Sequence, residues 1–209
     1  MGQTGFTAYA GLLPVGQLVP GEVVFVTGAG GAVGSMAGQF ARLLGASTVI
    51  GSAGGAQKCA WLREECGFDH VLDYRADDVA AGLDTAAPDG IDLFFDNVGG
   101  WQMITGLHHM KIHGRISMCG AVSNFGSAKQ PSLAELIETV LRRVTIRGFI
   151  VRDFEHLRPE FEERVSGWLA SGELIDRATI TEGIENAGAG LEGLLNGANL
   201  GKGLIRLSD

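Results

Sequence analysis

The chain has 209 residues, 45% of them hydrophobic and 19% charged, with a net charge of −8. That balance excludes a disordered chain, and the absence of a basic stripe excludes a nucleic-acid partner. No apolar run reaches membrane-spanning length, so no membrane partner is expected.

Three cysteines, Cys59, Cys66 and Cys119, are widely spaced. They form neither a disulfide framework nor a Cys-x-x-Cys knuckle, and they fit a reduced, cytoplasmic compartment. His108, His109 and His113 cluster in HHMKIH. His109 and His113 have helical i,i+4 spacing, but no carboxylate or cysteine accompanies them, and no metal is expected.

In chain order, EVVFVT (22–27) is short, apolar and β-branched, the pattern of a fully buried strand. AVGSMAGQFARLLG (32–45) reads as a helix ended by Gly45. STVIG (47–51) is a strand, AQKCAWLREEC (56–66) a helix closed by Gly67, and HVLDY (70–74) a strand. IDLFFDNVGG (91–100) is a strand running into a loop, and GRISMCG (114–120) is the next strand. The stretch 121–131 is the longest loop and a candidate flap. SLAELIETVLRRV (132–144) reads as a helix with a Ser132/Glu135 capping box. TIRGFIV (145–151) is a strand and 155–172 a helix. Strands alternating with helices give βαβ units. The fold class is therefore α/β, a doubly wound parallel (Rossmann) sheet of about six strands with helices on both faces. The opening 22 residues and the closing GLIRLSD do not fit a self-contained sheet and read as edges facing something the chain does not hold.

The stretch VFVTGAGGAVGSMAG (24–38) concentrates the chemistry. Glycine makes up 33 of 209 residues, roughly twice the usual share, so a G-x-x-G by itself is cheap. Here, however, Gly28, Gly31 and Gly34 follow a buried strand and open an amphipathic helix. Glycine permits a tight turn and brings backbone N–H groups up to a pyrophosphate at the helix N-terminus. The alternative is a βα turn that only packs helix on strand. An acidic residue about 20 positions on would grip the ribose 2′-OH of NAD. The sequence there is GSAGGAQK, with no carboxylate and with Lys58 close by, which favours NADP(H). Lys58 otherwise reads as an ordinary exposed helix lysine. Asn97 lies at the carboxyl end of the fourth strand, where ligands of open α/β sheets bind. A turn asparagine capping its own backbone is the other reading.

The pieces TGFTAYAGLL, GAGGAVGSMAGQFARLLG, GGAQKCAWL, DYR, IDLFFDNVGG, GRISMCGAVSN, GFIV and NLGKG occur together in this order. In them the chain resembles the zinc-independent medium-chain dehydrogenase/reductases, in the branch of prostaglandin reductases, leukotriene B4 12-hydroxydehydrogenases and curcumin-type reductases. The resemblance implies NADP(H) and reduction of the C=C bond of enones or enals, with hydride passing from nicotinamide C4 to the β-carbon. It places Gly31, Ala32, Val33 and Gly34 on the pyrophosphate, and Lys58 and Tyr74 on the 2′-phosphate. Asn97 falls by the ribose and phosphates. Cys119, Gly120, Ala121, Val122, Ser123, Asn124 and Phe125 pass near the nicotinamide. Phe149, Ile150 and Val151 meet its carboxamide, and Asn199 touches the cofactor.

Relatives add a GroES-like domain upstream, which forms the other wall of the cleft. Residues 1–209 are expected to be the NADP-binding domain, with 1–20 and 200–209 as edges toward that absent domain. Relatives also read CGAISxY where this chain has CGAVSNF. Phe125 replaces a tyrosine and cannot donate a hydrogen bond, so no catalytic residue is assigned. The expected function is an NADP(H)-dependent ene-reductase seen as its cofactor domain, weakly active or inactive alone. The alternative is a non-catalytic NADP(H)-binding module. Relatives pair through the edge strand, so a homodimer through 145–151 is expected; left alone, that apolar edge is a liability.

Overall fold

A computed structural model describes residues 2–122 and 133–207. Six parallel strands form one sheet: β1 (Val23–Val26), β2 (Thr48–Ala53), β3 (His70–Asp73), β4 (Ile91–Asp96), β5 (Met110–Met118) and β6 (Thr145–Gly148). Their spatial order is β3-β2-β1-β4-β5-β6, the doubly wound order expected from the sequence. The central strands are buried on both faces, so they read as continuous apolar runs such as VVFV and LFF.

One face is covered by α1 (Gly2–Ala10), α2 (Ala32–Leu43), α3 (Ala56–Glu64) and α7 (Arg158–Ser171). The other carries α4 (Val79–Ala86) and α5 (Gly100–His108). A short α6 (Ile137–Leu141) leads into β6. The opening segment contributes to the core: Phe6, Tyr9 and Leu12 are buried, and the Phe6 and Tyr9 rings lie 5.2 and 5.5 Å from that of Phe161 on α7. A two-stranded parallel arm completes the chain, with β7 (Ala178–Glu182) and β8 (Lys202–Arg206) joined through α8 (Ala187–Leu195). The closing strand thus pairs with β7.

Several boundaries depart from the sequence reading. HHMKIH is not a helical turn: His109 caps α5, and β5 begins at Met110, four residues before the expected start. His113 sits inside β5 at φ 66°, near a register irregularity against β4, so its i,i+4 relation to His109 is lost. His109 Nδ1 is instead 2.7 Å from the Thr105 carbonyl, and its Nε2 is 3.3 Å from Asp84. The Ser132 cap lies outside the described residues, and the helix expected from there is a 3-10 turn at Leu133–Leu136 followed by α6. β6 ends at Gly148, and Val151 opens a 3-10 segment to Leu157. Gly45 and Gly67 follow their helices at positive φ, 95° and 70°, as the expected helix stops.

Candidate functional site

In this strand order the direction of winding reverses between β1 and β4, and the crevice beyond their carboxyl ends is where ligands of such sheets bind. Both walls are turns. On the β1 side the chain enters Gly28 at φ 60° and reaches α2 through Gly31. The turn is too tight for side chains. A Cβ on Gly34 would lie 2.3 Å from the Gly28 carbonyl oxygen, and one on Gly31 3.3 Å from the same atom. Gly31 supplies no side-chain cap, and the first turn of α2 holds no acidic residue. The N–H groups of that turn, which lack intrahelical partners, therefore face the crevice uncapped.

On the β4 side, buried Asp96 organises the turn. Its carboxylate accepts from the Thr27 hydroxyl at 2.6 Å and from the Val98 and Gly99 N–H groups at 3.0 Å each. Burial pushes this carboxyl above the usual range, against the lowering effect of those three donors. Asn97 N–H donates to Thr27 Oγ1 at 3.0 Å, and its Nδ2 donates to the Thr27 carbonyl at 2.8 Å. Asn97 thus braces β4 against β1 with its amide nitrogen while it lines the crevice.

The groove has a volume of about 390 Å³ and brings together residues from distant parts of the chain. Of the candidates, Gly31, Ala32, Val33, Gly34, Lys58, Tyr74, Asn97, Val122 and Asn199 line it. Lys58 reaches from α3 across the glycine turn; a Cβ on Gly30 would sit 2.7 Å from Lys58 Cδ. Burial, and then the positive charge of Arg75, lower the Lys58 pKa. The β7–β8 arm closes the groove. Gly201 N–H donates to the Gly30 carbonyl at 3.1 Å, and Asn199 Nδ2 donates to the Gly201 carbonyl at 2.7 Å.

A second hollow of about 480 Å³ adjoins the β5 and β6 ends, where Cys119, Gly120, Ala121, Phe149 and Ile150 gather with Asp153. The Cys119 and Gly120 N–H groups both donate to the Asp96 carbonyl, at 2.8 and 3.2 Å, tying this wall to the β4 turn. Burial, aided by Asp96, pushes the Cys119 thiol up to about 12, so it stays protonated at neutral pH and is no nucleophile. Val151, which follows Ile150, packs against the core, as do Phe149 and Phe154. Ser123, Asn124 and Phe125 fall outside the described residues.

The sequence reading missed Arg75. Its Nη2 donates to the Asn196 carbonyl at 3.2 Å, and it flanks Gly54 and Gly197 together with Tyr74 and Lys58. DYR was visible as a string, but only the fold brings the C-terminal arm to it.

The residues fit a dinucleotide. Gly34 leaves backbone where a Cβ would clash, Gly31 one where it would be tight, an uncapped helix start faces the groove, and the cations Lys58 and Arg75 stand beside it. A 2-alkenal reductase (NADP(+)-dependent) of Nicotiana tabacum is 38% identical over 209 residues, covering 100% of this chain and 61% of that protein. The NADPH-dependent curcumin reductase of Escherichia coli (strain K12) is 41% identical over 214 residues, with 100% and 62% covered. CurA from Vibrio vulnificus, solved in complex with NADPH, superposes with a TM-score of 0.93 at 37% identity, over 100% of this chain and 63% of that one. The chain thus spans 61–63% of the length of these relatives. Residues 32–171 match the zinc-binding dehydrogenase family. With these relatives, the match shows that the chain belongs to that family, in its zinc-independent medium-chain dehydrogenase/reductase branch.

Proposed function

We propose that the chain is the NADP(H)-binding domain of an oxidoreductase that reduces the C=C bond of enones or enals. The observation that carries this reading is the uncapped glycine turn at the start of α2 sharing one groove with Lys58 and Tyr74. A helix start with free N–H groups suits a pyrophosphate, and a lysine beside a tyrosine suits a ribose phosphate.

Bound there, NADPH supplies the hydride for the reduction. The free amides of Ala32, Val33 and Gly34 hold the pyrophosphate, with Gly31 closing the turn by donating its N–H to the Gly28 carbonyl at 3.0 Å; Lys58 and Tyr74 hold the 2′-phosphate, and Asn97 and Asn199 orient the ribose side. The wall of Cys119–Ala121 with Phe149 and Ile150 shields the reacting end from water. Relatives that reduce alkenals and curcumin support the substrate class. The remaining wall of the cleft, in a GroES-like domain, faces the outer sides of 2–20 and 200–207.

The same reading includes a cytoplasmic location and a homodimer through β6. No helix among the described residues is long and apolar enough to cross a membrane. β6 is a sheet edge, and Val140 and Ile150 beside it are 65% and 66% exposed. A solution mass equal to one chain at working concentration would remove the dimer.

The function is tested by titrating the chain with NADPH and with NADH at one fixed salt concentration. NADPH is expected to bind more tightly. Binding of neither would overturn the reading. Turnover of an enone is then followed by NADPH absorbance in the chain fused to a relative's remaining domain. Tight binding without turnover would identify a binding module instead.

A further inference from the structure

We propose that Arg75 is a specificity-determining residue of the groove, a second cation that grips the 2′-phosphate and draws the β7–β8 arm over it. This rests on the reading of the groove as an NADP(H) site.

The geometry is compact. Arg75 follows Tyr74 just beyond β3, facing the Gly54–Gly55 turn that opens α3. A Cβ on Gly54 would lie 2.6 Å from the Tyr74 hydroxyl and 2.8 Å from Arg75 Nε, so both side chains cross directly over that glycine. From the arm, a Cβ on Gly197 would lie 3.4 Å from Arg75 Nη2 and 3.6 Å from Lys58 Nζ. Two cations from different elements therefore converge on one point.

Neither is neutralised. Among the described residues, no carboxylate pairs with the Lys58 or Arg75 side chain. The acids of this turn are engaged with backbone: Asp73 Oδ1 accepts from Gly55 N–H at 2.9 Å and Arg75 N–H at 3.0 Å, and Asp77 Oδ2 accepts from Asp73 N–H at 2.7 Å. Holding two like charges together without an anion opposes folding, and a phosphate dianion relieves that repulsion. Burial lowers the Lys58 pKa first, and the charge of Arg75 adds to that lowering.

Arg75 also has a second task. Its Nη2 donates to the Asn196 carbonyl at the end of α8, where helix carbonyls lack partners and cations are favoured. A guanidinium carries five donors in a planar fork, and the arm takes one of them. The remaining face is suited to bidentate contact with phosphate oxygens. One side chain can therefore hold the phosphate and the arm that covers it.

The test compares two probes that differ only by the phosphate, adenosine 2′,5′-bisphosphate and adenosine 5′-monophosphate. Each is titrated calorimetrically at fixed ionic strength. The proteins are the wild-type chain and its Arg75→Gln, Arg75→Lys and Arg75→Ala variants, with thermal unfolding as a check of folding. The wild type is expected to prefer the bisphosphate. Arg75→Gln can still donate to Asn196 O, so it should keep the unfolding midpoint yet lose about tenfold or more of that preference, the usual effect of a charged hydrogen bond. Arg75→Lys should retain part of it. A full preference in Arg75→Gln and Arg75→Ala would overturn the proposal, as would equal weakening of both probes, which marks a purely structural clasp. A wild type that does not distinguish the probes would overturn the NADP(H) reading itself.

Discussion

Replacing Gly34 with alanine tests the glycine turn without touching a charge. Two effects oppose each other. Gly34 lies inside α2, where alanine is worth about 1 kcal/mol over glycine. The added methyl, however, would meet the Gly28 carbonyl oxygen at 2.3 Å and Ala29 Cα at 2.8 Å. Both are backbone atoms of the turn and cannot rotate aside, so α2 must shift off the end of β1. Forced overpacking costs about 1–3 kcal/mol, and a backbone clash this deep belongs at the upper end. The net loss is about 2 kcal/mol, a fall in melting temperature of about 4–8 °C for a chain of this size. Dinucleotide affinity should fall as well, because the amides of the first turn move with the helix. The control is Gly167→Ala on α7, where a Cβ meets nothing within 4 Å. There only helix propensity acts, and the melting temperature should rise by about 2–4 °C. Differential scanning calorimetry on both variants decides the matter. If Gly34→Ala stabilises the chain as much as Gly167→Ala does, the close approach of α2 to the turn is refuted.

Asp96→Ala would leave the Thr27 hydroxyl and the Val98 and Gly99 N–H groups without their buried acceptor. At about 1–3 kcal/mol for each orphaned group, denaturant unfolding should show a loss of at least about 3 kcal/mol. Asp96→Asn should cost clearly less, because burial already disfavours the ionised carboxylate; equal losses would contradict this account. Asp69 supplies the acid limb. Burial raises its pKa, but hydrogen bonds from Arg42 and from Val49 N–H at 2.7 Å outweigh that and leave it below the usual value. A depressed folded pKa adds stability above the ordinary aspartate value of about 4 and loses it as pH falls through the folded value. The stability gap between wild type and Asp69→Asn should therefore shrink as pH drops from about 5 toward 2; a gap independent of pH would refute the assignment.

Much of the core fold was legible because its signals are local. Buried parallel strands such as VVFV must be apolar throughout, and Gly45 and Gly67 stop helices by conformation alone. Elements made of small residues were not legible. AGAGLEGLL and VAAGLDTA lack a strong apolar stripe, so α8 and α4 show no clear period. α4 is marked instead by its cap, with Asp78 Oδ1 accepting from Ala80 and Ala81 N–H at 3.0 and 3.2 Å. The i,i+4 spacing in HHMKIH makes no shared face, because α5 ends at His108 and β5 begins at Met110.

The sequence by itself determined the alternation of strands and helices, the glycine turn and the missing acid after β2. Each depends on residues within a few positions of one another. Tertiary structure alone decided what shares the groove. Arg75 meets Asn196 from 121 residues away, Asn97 meets Thr27 from 70, and Gly201 closes on Gly30. Such meetings follow from strand order and from the path of the arm. They arise from the summed burial of the sheet's two faces, so no short stretch of sequence encodes them.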